Sequence, residues 1–145
     1  MRQLCFAGLI CLLLKPLTTE GCSINSTLDA PQSPANHTFS SPSWPQGYPV
    51  NMTCGWYITA PEDHIVMLQL TSQLSSSHSS KDSVEVYDVE SSELSLITIR
   101  LALQNTSTVF SKFRSLYILF TSDDKTSPSE QGIFATYTAI STGKG

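Results

Sequence analysis

Pro42, Pro45 and Pro49 fall inside one stretch, Phe39 to Ile58, and they decide what this chain cannot be. Each proline fixes φ and lacks an N–H, so no helix runs through the segment. The residue before each proline is also pushed toward extended geometry. Aromatic residues stand beside them, as in Trp44-Pro45 and Tyr48-Pro49, so the segment reads as a stiff extended arm. The arm runs into Cys54-x-Trp56-x-Ile58, an alternating run that reads as a buried strand with a cysteine at its start.

The first residues, Met1-Arg2-Gln3, lead into an apolar run from Leu4 to Leu14, broken by Lys15 and Pro16. A basic start, a short apolar core and small residues after it read as a secretory signal peptide, expected to end before Cys22. The run is too short for a bilayer-spanning helix, which needs roughly 20 residues, and no later segment approaches that length. The expected division is a signal peptide over 1–21, a single domain over 22–140 and a tail over 141–145. With Cys5 and Cys11 inside the leader, Cys22 and Cys54 remain, and two cysteines in an exported chain most simply form one disulfide. Closing such a loop contributes roughly 3–4 kcal/mol on the chain-entropy model. Four N-glycosylation triplets, at Asn25, Asn36, Asn51 and Asn105, fit export and mark surface positions. Eight Lys and Arg against 12 Asp and Glu give a net charge of −4, which argues against a nucleic-acid partner.

Downstream, short alternating runs recur. Val66, Leu68 and Leu70 share one face, Val84 and Val86 another, and Leu116 to Phe120 and Gly132 to Ile140 complete the set. Residues 22–37 read as loop or arm, and Leu94 to Leu103 as one or two short strands or a short helix. Short strands separated by polar turns, with no long helix, predict an all-β two-sheet sandwich.

Catalytic signatures are missing. His37, His64 and His78 fall in expected loops with no metal-ligand spacing. There is no Gly-x-Ser-x-Gly elbow. Ser122-x-x-Lys125 matches a Ser–Lys pattern formally but lacks its companion motifs. The expectation is no enzymatic activity. Trp56, Phe120 and Tyr137 are expected in the core, while Trp44, Tyr48, Tyr87 and Tyr117 are candidates for exposure that also fit as core or second-layer residues, Trp44 packing on its own arm beside Pro45.

Taken in order, Ser41-Pro42, Tyr48-Pro49, Cys54-x-Trp56-x-Ile58, Lys81-Asp82-Ser83-Val84-Glu85-Val86-Tyr87-Asp88 and the pair Leu116–Asp123 and Gly132–Tyr137 resemble a CUB domain. The resemblance covers roughly Cys22 to Ala139. It implies a jelly-roll-like sandwich of two antiparallel sheets and pairing of Cys22 with Cys54. Many members hold calcium at one end, and the resemblance maps two of its carboxylates onto Asp82 and Asp123. The third acidic position falls on Ser75 or Ser76, where serine stands, so a calcium site here lacks one of three acidic ligands; Asp124 is a candidate to compensate. The second disulfide of most members is missing, since no cysteine stands near Ser79 or anywhere after Cys54, and Val89 replaces a glycine usual in the family.

In the family the same end often receives a basic side chain of a protein partner. The expected function is therefore a secreted, glycosylated protein-recognition or adhesion module that binds through Asp82, Asp123 and Asp124, with no membrane anchor in this chain. Two alternatives stay open. One is a carbohydrate-binding single-domain protein. The other is a shortened form of a larger receptor or protease, which the end at Gly145, just past the last strand, suggests.

Overall fold

Alternation at Cys54, Trp56 and Ile58 becomes the inner face of a strand, Thr53–Thr59, with all three side chains buried. The computed structural model describes residues 22–74, 81–99, 105–125 and 130–143; the expected signal peptide, Ser75, Ser76 and His78 lie outside them. Nine strands are described: β1 (Ser26–Asp29), β2 (His37–Ser40), β3 (Thr53–Thr59), β4 (His64–Gln73), β5 (Ser83–Glu90), β6 (Glu93–Ile99), β7 (Asn105–Phe110), β8 (Ser115–Thr121) and β9 (Gly132–Ser141). They form a five-stranded sheet ordered β1-β3-β8-β5-β6 and a four-stranded sheet ordered β2-β9-β4-β7. All pairings are antiparallel except β1 with β3, which is parallel.

The two inner faces supply the core. Val84 and Val86 of β5, Leu116, Ile118 and Phe120 of β8, and Trp56 and Ile58 of β3 meet Val66, Leu68 and Leu70 of β4 and Ile133, Ala135 and Tyr137 of β9. Each of these sits at every second position of its strand, as a half-buried sheet requires. The expected core roles of Trp56, Phe120 and Tyr137 are met.

Three expectations need correction. Residues 22–37 are more than an arm: β1 pairs along β3, and β2 begins at His37. His37 and His64 therefore stand in strands, where His37 packs edge-on against Tyr137 at 6.0 Å. The described part of the leucine-rich stretch is a strand, β6, the first of the readings expected for it, at the edge of the larger sheet. The Phe39–Pro49 arm folds back on the sandwich at both ends. Phe39 stacks on Trp56 across the two sheets at 4.6 Å, and Trp44 stacks at 5.8 Å on Phe134 of β9, a strand of the sandwich, where packing on its own arm was expected.

Cys22 and Cys54 form a disulfide, with Cα atoms 5.2 Å apart. It fixes the chain just ahead of β1 to the start of β3. Gly55, next to that bridge, has to be glycine. A Cβ there would lie 2.1 Å from the Ile24 carbonyl oxygen and 2.2 Å from the Tyr117 hydroxyl. That hydroxyl crosses the vacant space to donate to the Ile24 carbonyl at 2.9 Å.

Candidate acidic site at one end of the sandwich

Asp82 stands one residue before β5 and continues its inward alternation with Val84 and Val86. Its carboxylate is thus carried into the interior, where the residue is only 1% exposed. A buried carboxylate needs partners. Tyr48 donates its hydroxyl to Oδ2, and the backbone N–H of Asp123 donates to Oδ1 at 2.7 Å. Asp123 follows the end of β8 and answers in kind: its Oδ2 accepts the N–H of Lys81 at 2.7 Å, and its Oδ1 accepts the N–H of Lys125 at 2.9 Å. The Lys81 N–H, followed by that of Lys125, holds the Asp123 carboxyl below the usual carboxylate range.

The loop before β3 is tied to the same place. Asn51 donates its N–H to the Asp123 carbonyl at 2.8 Å. Ser122 donates its hydroxyl to the Pro49 carbonyl at 2.8 Å and accepts the Met52 N–H at 2.9 Å. Both functions of that hydroxyl are thus engaged in holding the loop, in a residue that is itself buried, and the formal Ser122–Lys125 pattern has a structural explanation.

Of the three aspartates expected to meet a partner, the structure brings Asp82 and Asp123 together and leaves Asp124 exposed beside them. Asp82 is enclosed, so it positions Asp123 and does not itself offer a contact. Of the two readings open for Tyr48 the structure takes the core one: it is buried, edge-on to Phe120 at 5.3 Å, with its hydroxyl on Asp82. Its role was missed because 34 residues separate the pair; the Tyr48-Pro49 dipeptide was the only signal. Lys81 and Lys125, whose backbone N–H groups hold Asp123, are both exposed.

Calcium takes six to eight oxygens with strong carboxylate contribution. Here all four oxygens of Asp82 and Asp123 already accept a protein hydrogen bond. Among the described residues no three His, Cys, Asp or Glu are grouped as a metal would need. Each of those oxygens keeps a second lone pair, so Asp82 and Asp123 offer two carboxylates toward such an ion, fewer than its usual set.

The outer face of the larger sheet carries a second feature. Tyr57, Tyr117 and Tyr87 are in register across β3, β8 and β5. Their rings contact one another, with centroids 6.4 and 6.3 Å apart. Tyr87 donates its hydroxyl to Glu85, and that hydrogen bond, ahead of burial, raises the phenol above its ordinary value.

The asparagines at 25, 36 and 51 are exposed, and Asn105 opens β7. No helix among the described residues is long and apolar enough to cross a membrane.

With sandwich, bridge and clasp in view, comparison with known proteins becomes informative. The family model for the CUB domain matches residues 29–137. The chain belongs to the CUB domain family. This CUB domain is 29% identical over 127 residues to zinc metalloproteinase nas-39 of Caenorhabditis elegans, covering 86% of this chain and 13% of that protein. It is 35% identical over 106 residues to the human membrane frizzled-related protein, covering 71% of this chain and 18% of that one. The chain therefore spans less than a fifth of the length of either relative. Among solved structures, the MASP-1 CUB2 domain bound to Ca2+ superposes with a TM-score of 0.61 at 20% identity, covering 79% of this chain and 98% of that one. At that identity the likeness is one of fold. The resemblance motifs now have physical roles: Ser41 accepts the Ile133 N–H on its hydroxyl at 2.9 Å, the carbonyl of Pro49 holds Ser122, and Cys54, Trp56 and Ile58 line the core.

Proposed function

We propose that this CUB domain is a secreted, glycosylated recognition module without catalytic activity, and that it binds an extracellular protein through Asp123 and Asp124. The observation that carries the reading is the reciprocal clasp of Asp82 and Asp123. It fixes one carboxylate at the end of a rigid sandwich, and the exposed Asp124 stands next to it. A fixed carboxylate suits a Lys or Arg side chain, because little ordering entropy remains to be lost on binding. Asp82 serves by holding Asp123, and the four asparagines carry glycans away from this contact or beside it.

The carbohydrate alternative draws on the tyrosine row. It is the weaker reading, because the hydroxyls of Tyr117 and Tyr87 are already engaged and the rings pack on one another. MASP-1 CUB2, a domain of the same fold, was solved bound to Ca2+, which makes calcium a ligand to test on this one. The test is surface plasmon resonance of the secreted protein against a panel of extracellular proteins, with Asp124→Lys in parallel. Binding that Asp124→Lys removes supports the reading; binding that it leaves intact sinks the acidic-end mechanism. Glycan-array signal lost on Tyr87→Ala would favour the carbohydrate alternative.

A further inference from the structure

Two sheets have four edges, and here they are β1 and β6 in one, β2 and β7 in the other. An edge strand offers a row of backbone donors and acceptors to any extended chain, and natural proteins guard such rows. Three of the four edges share one feature. The triplet at Asn25 immediately precedes β1, the triplet at Asn36 immediately precedes β2, and the triplet at Asn105 opens β7. A glycan at or just before the start of a four- to six-residue strand would stand in the way of a chain pairing along it.

β6 is different. It runs seven residues, Glu93-Leu94-Ser95-Leu96-Ile97-Thr98-Ile99, with no acceptor triplet, no proline, no lysine and one charge. Leu94 is 52%, Leu96 45% and Ile97 42% exposed, half of the large apolar side chains that stand this far into solvent among the described residues. In register, Leu96 lies beside Tyr87 and Leu94 beside Val89, so Leu96 extends the row Tyr57–Tyr117–Tyr87 to the very edge of the sheet.

We infer that β6 is the edge through which two copies of this chain join, antiparallel, so that their five-stranded sheets continue into one. The strand is complementary to itself. Setting Ser95 of one copy against Ser95 of the other places Leu94 of each against Leu96 of the other, and Glu93 against Ile97. No two glutamates meet, and apolar neighbours face each other on the outer side. The register shift between Val86 and Tyr87 leaves Ile97 without a direct partner on β5. The irregularity falls at Ile97, and Ser95 as the centre keeps both leucines on the regular side of it. One unguarded edge per copy closes at two; it gives a two-fold pair and not a fibre. This inference is independent of the acidic end.

The test uses the full chain, secreted and glycosylated from mammalian cells, in sedimentation equilibrium across the micromolar range. The expected mass is that of two chains. Leu96→Asn completes an acceptor triplet with Ile97 and Thr98 and sets a glycan on the edge at an exposed position; the expected mass falls by half with the circular dichroism spectrum unchanged. Leu96→Lys, which adds no glycan, gives the same result by charge. Ser95→Cys yields a covalent dimer on a non-reducing gel. A monomeric wild-type protein, a dimer that survives Leu96→Asn, or Ser95→Cys that never cross-links overturns the inference. So does pairing of β6 with a strand of a different protein in preference to its own copy.

Discussion

Asp82 and Asp123 hold each other's backbone. Asp82 Oδ1 accepts the N–H of Asp123 at 2.7 Å, while Asp123 Oδ2 accepts the N–H of Lys81, the residue before Asp82, also at 2.7 Å. The clasp joins the start of β5 to the end of β8, neighbours in the same sheet, where ladder hydrogen bonds run out. At the other end of β5, Asp88 takes the N–H of Lys112 at 2.9 Å, just ahead of β8. Both ends of the β5–β8 pair are closed by an inward aspartate on β5's alternating face.

Acid should loosen the clasp. The Asp123 carboxyl lies below its ordinary value in the folded protein, chiefly because it accepts the Lys81 N–H. A depressed carboxyl stabilises the fold fully above its unfolded value, about 3.9. That contribution is lost as pH falls through the folded value. Urea midpoints of wild type and Asp123→Asn should therefore differ at neutral pH and converge below about pH 4. A difference that holds constant into acid would contradict the assignment.

Gly55→Ala should destabilise by about 1–3 kcal/mol or more, since the new Cβ meets backbone and not only a yielding side chain. The Ile24 carbonyl oxygen would lie 2.1 Å away. Pairing Gly55→Ala with Tyr117→Phe should recover only part of the loss, because the carbonyl clash stays. Thermal melts of the single and double variants measure this.

Removal of the Cys22–Cys54 bridge by Cys22→Ser with Cys54→Ser should cost about 2–5 kcal/mol in a domain of this size. The loss should appear first as release of β1, which pairs in parallel, from β3. Hydrogen exchange of the amides of Ser26–Asp29 reads it directly; unchanged protection there would argue that the strand pairing stands without the bridge.

Calcium should bind weakly. With Asp82 and Asp123 alone, calorimetry should show no site tighter than the roughly 0.1–1 mM range of extracellular modules. Ser75→Glu or Ser76→Glu, which restores the third acidic position that the family resemblance indicates, should tighten it at least about tenfold, or 1.4 kcal/mol. A micromolar site in the wild-type protein would contradict this.

Strands with a buried face were legible because alternation records burial: Val66, Leu68 and Leu70, or Val84 and Val86, need only local reading. β1 and β2 were not. Ser26–Asp29 and His37–Ser40 are four residues each with little apolar content, and β3 and β9 recruit them by backbone pairing. Only Leu28 and Phe39 of those strands pack against the core. That Asp82 and Asp123 meet at one end was legible through the family pattern. That Asp82 is enclosed was not, because its enclosure depends on Tyr48, distant in sequence and brought close by the folded-back arm.

The most direct test of the central claim is the dissociation constant of the extracellular partner for wild type and for Asp124→Lys, at two salt concentrations. Recognition by the carboxylates at this end predicts weakening of at least about tenfold, equivalent to 1.4 kcal/mol, with an unchanged thermal midpoint. Equal affinity of the two proteins would show that the partner docks elsewhere on the sandwich.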